Sequence, residues 1–347
     1  MPTHQLGDAH VNAALSTVSL AFVQSKENFI ATKVFPNVPV QNMSGLYWKY
    51  PRGLYFRTDV QRRAPGQPAA ETSFRRESAA YLTQVDAIKS MVTDQERRNA
   101  DSVFDLDRDA TLLLTEQHLV KRETNWAGKY FTTGVWTVDI TGVPGAPGAG
   151  QTQQWDQAAS DPINFIQGER MLMLERTGVE PNLLVVSPHV RIALENHPVV
   201  QERYKYTAQQ IAGAFNLQGG ASVPALSVLA QVFGVERVLE AKAVHNTDSD
   251  VNDGAPGSIA DGDPAGMGFV FPKSALLCYT PPAPSTLTPA AGYTFSWNGY
   301  LGASNEGMRT KKYRDEVRAS DAIEVEMAYD QHVISADLGQ FYTTIVA

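Results

Sequence analysis

The sharpest hydrophobic pattern lies between Trp155 and Tyr204. Ser160 or Asp161 supplies an N-cap, and Pro162 follows at the first helical position, where its missing N–H costs nothing. Ile163, Ile166, Met173 and Leu174 form a core-facing stripe, and Gly178 stands where a left-handed C-cap is wanted. Beyond the breaker run Val179-Glu180-Pro181-Asn182, the apolar stretch Leu183-Leu184-Val185-Val186 predicts a strand buried on both faces. Ser187-Pro188 opens a second helix and His197-Pro198 closes it. This helix–turn–strand–helix unit contains no nucleophile, metal set or phosphate loop.

Residues 1–44 are weakly patterned, and Pro36 and Pro39 deny them a central place in a sheet. They are expected to form an extended arm lying on something else. From Gly45 to Arg76 the composition changes. Lys49, Arg52, Arg57, Arg62, Arg63, Arg75 and Arg76 stand against Asp59 and Glu71, a local charge of +5 interleaved with Tyr47, Trp48, Tyr50, Tyr55 and Phe56. Ala64-Pro65-Gly66-Gln67-Pro68 is a turn signal, and Tyr81 to Lys89 reads as the returning strand. A lone hairpin buries too little to stand alone, so it needs a partner. An acidic neighbouring subunit or single-stranded nucleic acid on the aromatic platforms would serve. Acidic complements are Asp101, Asp105, Asp107 and Asp109, and the Asp248–Asp263 stretch.

A helix of roughly 35 Å is predicted from about Phe104 to Trp126, with Leu106, Ala110, Leu113 and Val120 as its stripe. Strands are expected at Val135–Ile140, at Val235–Val238 with Ala241–Val244 (a pair or one bent strand), at Gly268–Pro272 and at Ala275–Tyr279. The best alternation, Ile323 to Met327, predicts a half-buried strand, and Phe341–Val346 a final one. Tyr206–Ser222 reads as a Gly-rich loop and Pro281–Pro284 as a stiff connector.

Length and charge narrow the class. A chain of 347 residues exceeds what one core accommodates, so two or more lobes are expected. A 43% apolar content is that of a folding chain, and a net charge of −8 argues against a dedicated nucleic-acid binder. The single cysteine, Cys278, sits in an apolar run and reads as a buried, inert thiol. No apolar run is long enough to span a membrane, and the first residues lack a basic leader, so the chain is expected to be made and kept in cytoplasm.

The search for chemistry is negative. His4, His10, His118, His189, His197, His245 and His332 have no metal-ligand spacing. Gly145 and Gly150 have phosphate-loop spacing, but Gln151 replaces the lysine and two prolines remove donors, so residues 142–152 read as a flexible connector. Asp248 to Gly254 nearly matches a calcium loop, yet Ile259 stands where a bidentate Glu belongs, leaving a solvated acidic loop. Glu169 with Glu175, and Glu195 with Glu202, read as solvated helix faces. Asn42-Met43-Ser44 is a glycosylation sequon in letters only. No catalytic, cofactor-binding or metal residue is named, no cofactor is implied, and the chain is not expected to be an enzyme.

The unit at 155–204, with its Pro-Asn turn, its "SPH" helix start and its His-Pro stop, resembles the start of the axial domain of tailed-bacteriophage major capsid proteins, whose fold is shared with encapsulins. The basic hairpin resembles that family's extended loop, the 104–126 helix its spine helix, and Tyr313-Arg314-Asp315 to Asp337-Leu338-Gly339 its closing segment. The resemblance runs from about Phe29 onward. It implies an α+β capsid fold: an N-terminal arm (1–44), an extended β-hairpin loop (45–92), a peripheral domain with the spine helix (93–154 and 300–347) and an axial domain (155–299). It further implies a shell subunit that assembles with itself into hexamers and pentamers around double-stranded DNA, bound without sequence specificity. That subunit belongs to the virion and is assembled in host cytoplasm. Too few residues precede the hairpin for a helical scaffolding segment, so a separate scaffolding protein, a portal and an optional decoration protein are the expected partners, with no membrane. Two alternatives stay open: an encapsulin-like cargo shell, and a single-strand nucleic-acid binder using 45–76.

Overall fold

The computed structural model of the chain describes residues 24–49, 52–73, 76–99, 105–203, 226–247, 267–283, 288–299 and 303–347. In chain order, α1 (Ala31–Val34) and β1 (Asn37–Val40) lead into β2 (Ser44–Lys49), the short α2 (Arg52–Tyr55) and β3 (Glu77–Leu82). β4 (Gln84–Thr93), α3 (Asp94–Asn99) and the 25-residue α4 (Leu106–Tyr130) follow. Next come β5 (Val138–Val143), β6 (Gln151–Gln153), α5 (Pro162–Thr177), β7 (Leu183–Val186) and α6 (Pro188–Asn196). After α7 (Leu226–Phe233) come β8 (Arg237–Glu240), β9 (Val244–Asn246), β10 (Met267–Phe269) and β11 (Ala275–Cys278). The order ends with β12 (Gly292–Trp297), β13 (Met308–Asp315), β14 (Ser320–Val333) and β15 (Gly339–Thr343).

Two sheets carry the fold. The six-stranded sheet runs β6-β5-β15-β11-β7-β8. Its strands alternate between two cores, because successive side chains point to opposite faces. Leu184, Val186, Ala275, Leu277 and Tyr342 pack with Ile163 and Ile166 of α5, Val190 and Leu194 of α6, and Leu229 and Phe233 of α7. Leu183, Val185, Leu276, Cys278 and Phe341 face the other way, onto Trp126 and Ala127 of α4 and onto Phe29, Ile30, Val34 and Phe35. Helices on both faces explain why these strands are apolar throughout rather than alternating. Burial pushes the Cys278 thiol up to about 12, as suits an inert core residue.

The five-stranded sheet is built on β14, whose residues 320–329 pair with β4 along one edge. Its other edge is shared end to end by β13 and β12, with β1 outside β12. α4 lies on this sheet, with Leu114 against Val92, Ile323 and Val325.

The expected unit around β7 stands as read. Asp161 caps α5 by accepting from the Asn164 N–H at 3.0 Å, and Gly178 closes it at φ +70°. Leu174 is only half-buried.

Other expectations need correction. Residues 24–44 of the expected arm are part of the subunit itself: Phe29, Ile30, Val34 and Phe35 are at most 3% exposed, and β1 is an edge strand, where Pro39 is tolerated. On α4, Leu113 is 55% exposed, while His118, Arg122 and Glu123 are buried with Leu114 and Trp126. Across Ile323–Met327 every residue of β14 but Glu324 is buried, so the strand is not half-buried there: Glu326 is made buriable by Arg309 and Lys311. The strand expected at Val135 starts at Val138; Trp136 instead lies over Gly339, where a Cβ would stand 2.0 Å from its ring. β8 and β9 pair with β7 and β10, not with each other. β15 belongs to the six-stranded sheet and not to the five-stranded sheet of β14. The loops expected at 206–222 and 248–259, and residues 1–23, lie outside the described residues.

Candidate functional site

The hairpin of β2 and β3, with the segment that joins them, carries a group of exposed apolar side chains. Its register runs from Ser44 opposite Leu82 to Lys49 opposite Glu77. Alternation sorts its side chains. Tyr47 and Tyr81 turn inward onto Phe295 of β12, with ring centroids 5.4 and 4.7 Å away, the second pair stacked. Leu46 and Trp48 turn outward, 68% and 49% exposed.

The base of the hairpin is fixed by polar contacts as well. The Leu82 N–H donates to Asp330 of β14 at 2.8 Å, and that carboxylate also meets His332 Nε2 at 2.7 Å. Thr83 donates to the Met43 carbonyl through both its N–H and its hydroxyl, each at 2.9 Å. Burial, and then the charge of Asp330, raise the Tyr47 phenol above its ordinary value.

Beyond the base, cover disappears. Tyr55, Phe56 and Val60 are 59%, 64% and 89% exposed. The Arg76 guanidinium lies 5.1 Å from the Trp48 ring centroid, a cation–π contact. Asp59 accepts from Arg57 at 2.6 Å and from Thr72 at 3.0 Å, tying the two sides of the tip together. Arg62 and Arg63 form no ion pair among the described residues. Tyr50 and Arg75 lie outside the described residues. The tip has one contact that the sequence does not announce: Phe56 lies over Gly178, so that a Cβ there would stand 2.8 Å from the ring.

The acidic complements divide. Asp105 caps α4 through the Arg108 N–H, and Asp107 is paired within the subunit, with Arg97 at 2.7 Å and Lys312 at 2.5 Å. Asp109 is exposed. Asp101 and the 248–263 stretch lie outside the described residues. The basic run Arg309 to Arg314 is likewise matched at home: Arg309 and Lys311 hold Glu326, and Arg314 holds Asp94 at 2.5 Å.

The carboxylate pairs set aside in the sequence do not converge on a site. Glu169 is half-buried, its carboxyl raised by burial, while Glu175 is exposed. Glu195 is held by Arg191 at 2.7 Å, and Glu202 is exposed. Among the described residues no three His, Cys, Asp or Glu side chains group as a metal site. One Ser–His contact occurs: Ser160 Oγ lies 3.1 Å from His197 Nε2. Both are at most 5% exposed and both contact the Gln157 carbonyl, so the pair fastens the start of α5 to the end of α6 and faces no substrate. Residues 142–152 fold back so that β6 pairs with β5, and Gln151 accepts from the Gly148 N–H at 3.0 Å, leaving no phosphate cradle. No helix of the described residues is long and apolar enough to cross a membrane.

No family model matches the chain. The major capsid protein of Burkholderia phage BcepMu is 23% identical over 160 residues, so the match spans 44% of this chain and 45% of that protein, under half its length. Among solved structures, a phage-related protein from Bordetella bronchiseptica superposes with a TM-score of 0.65 at 20% identity, covering 96% of this chain and 97% of its own. The capsid of cyanophage P-SCSP1u gives 0.55 at 10% identity, covering 94% and 90%. The encapsulin of Synechococcus elongatus gives 0.52 at 11% identity, covering 96% of each. The chain has the capsid fold of tailed phages, which an encapsulin shares.

Proposed function

We propose that this chain is a major capsid protein, a structural subunit whose copies build an icosahedral shell around double-stranded DNA. The observation that carries this is the β2–β3 hairpin on a capsid-fold chain. Its base is bolted to β12 and β14, while Leu46, Trp48, Tyr55, Phe56 and Val60 are 49–89% exposed, and Arg62 and Arg63 form no ion pair among the described residues. Apolar surface of that kind calls for a protein partner. A second copy of the chain supplies one, and closed symmetry of such contacts yields hexamers and pentamers. The peripheral unit is then α3, α4 and the five-stranded sheet, and the axial unit the six-stranded sheet with α5 to α7. A scaffolding protein and a portal are the partners during assembly, which takes place in host cytoplasm, and the finished subunit belongs to the virion. An overall charge of −8 keeps most of the subunit from gripping DNA.

Deleting Gly53–Glu77 tests the reading. Circular dichroism and thermal melting should show a folded subunit, and negative-stain microscopy should show no shells where the full chain forms them. Shells from the deleted chain would sink the proposal. The encapsulin likeness favours a second reading, a cargo shell without DNA. Small shells of one size with the absorbance of protein alone would support it.

A further inference from the structure

We propose that residues 24–36 form a strap fastened to α4 by the carboxylates of Glu116 and Glu123, and that ionisation of these carboxylates loosens it. The strap is then held more firmly in acid than in alkaline solution. This device belongs to the subunit itself and does not depend on what the shell encloses.

The two glutamates are seven residues apart, which places them on one face of α4, about 10.5 Å from each other along the axis. Both are used by strap backbone. Glu123 accepts from the Ile30 N–H at 2.8 Å and the Ala31 N–H at 3.0 Å, one to each oxygen, so it caps α1 from outside. Glu116 accepts from the Gln24 N–H at 3.2 Å. The Gln24 side chain in turn pairs with β9 as a strand would, donating to the Val244 carbonyl at 2.7 Å and accepting from the Val244 N–H at 3.0 Å. The far end is held by packing: Phe35 meets Trp126 at 5.5 Å and Tyr130 at 5.0 Å, and Thr280 donates to the Val34 carbonyl at 2.9 Å.

What makes the fastening sensitive is that no cation completes it. Glu123 is fully buried, yet among the described residues it is in no salt bridge. The charged groups facing it are two. Arg122, its neighbour on α4, reaches toward Glu306 at 3.7 Å, and Lys33 on α1 gives its ammonium to the Glu27 carbonyl at 2.9 Å. Glu116 accepts from the Gln24 N–H and, among the described residues, is in no salt bridge. Burial therefore dominates: it pushes the Glu123 carboxyl up to about 7 and raises Glu116 as well. Lifting the strap exposes both groups to water and returns them to the ordinary carboxylate range. A group raised in the docked state stabilises docking fully below its exposed value, and that stabilisation is lost as pH climbs through the docked value.

Amide hydrogen exchange on the full chain tests this, at pH 5.5 and 8.5, corrected for the intrinsic rate and with the assembly state checked by size exclusion at both. Protection of Ile30 and Ala31 should fall on the order of tenfold across that interval, while β7 and β11 change little. In Glu123→Gln most of the pH-dependence of strap protection should be lost, whatever its absolute level, leaving the smaller part that Glu116 supplies. Glu116→Gln, at a half-exposed position, should reduce it partly and still fold. Strap protection that is flat with pH in the wild type, that rises with pH, or that keeps its slope in both variants overturns the proposal.

Discussion

The two sheets of this chain solve burial in opposite ways. In the six-stranded sheet, β7 and β11 are four-residue strands of apolar residues with every side chain buried, and neighbouring helices cover both faces. In the five-stranded sheet the partners of β14 bring charge with them. Glu326, 5% exposed, lies between Arg309 at 2.9 Å and Lys311, directly across the strand pair. At its end Arg97, Lys312 and Arg314 alternate with Asp94, Asp107 and Asp321, joining α3, α4, β13 and β14. The first sheet is held by area removed from water, which tolerates salt and acid. The second is held in part by geometry among charges, which fixes which strand lies beside which but makes that corner answer to its solution.

The comparison breaks most forcefully in the apolar sheet. Leu277→Ala leaves a cavity between β11 and α5–α7, and it should cost about 3 kcal/mol in urea unfolding, with little dependence on salt. A loss that shrank in high salt would contradict the division. Glu326→Gln removes one acid from between two half-covered cations. It should cost about 2 kcal/mol, since Lys311 is 33% exposed and partly hydrated, and salt should narrow the difference from wild type. The smallest effect is expected at the exposed corner. Hydrogen bonds from Arg314, Lys312 and Arg97 hold Asp94, Asp107 and Asp321 respectively below the usual carboxylate range. Groups lowered in the fold stabilise it above their ordinary value and lose that contribution as pH falls through the lowered one. The melting temperature should therefore drop on acidification below about pH 4, and Asp321→Asn should blunt that drop without moving the neutral value of strands β7 and β11 in exchange.

What the sequence makes legible follows the same line. α5, β7 and α6 are bounded by local chemistry, the Asp161 cap, Pro162, Gly178 and Pro188, and each is where those residues place it. The hairpin's existence is legible from its turn and its charge, but its returning strand is β3 (Glu77–Leu82) and not Tyr81–Lys89, most of which lies in β4 and pairs with β14. What fails is whatever depends on partners distant in sequence. Nothing near Arg309 says that Glu326 neutralises it, and nothing near Glu123 says that a chain segment 92 residues earlier will use it as a cap. For the segment Phe29–Phe35 the following Pro36 and Pro39 point to an exposed arm, while its own apolar pairs, Phe29-Ile30 and Val34-Phe35, are the sign of the buried turn that forms. Leu113 fails for the reverse reason: α4 turns Leu114, His118 and Arg122 to the core, and two of those are polar side chains that only a tertiary partner could make buriable.

The place of β15 sets an order on synthesis. It lies between β5 and β11, strands that both precede it in the chain: residue 340 pairs with 138, 202 residues earlier, and with 277, 63 residues earlier. While a ribosome is still making the chain, β6-β5 and β11-β7-β8 are two fragments with facing open edges, and neither can close until residues 339–343 have cleared the exit tunnel. Contacts of such long separation are slow to form. The six-stranded sheet therefore stays in two pieces until β15, the last of its strands in chain order, has been made.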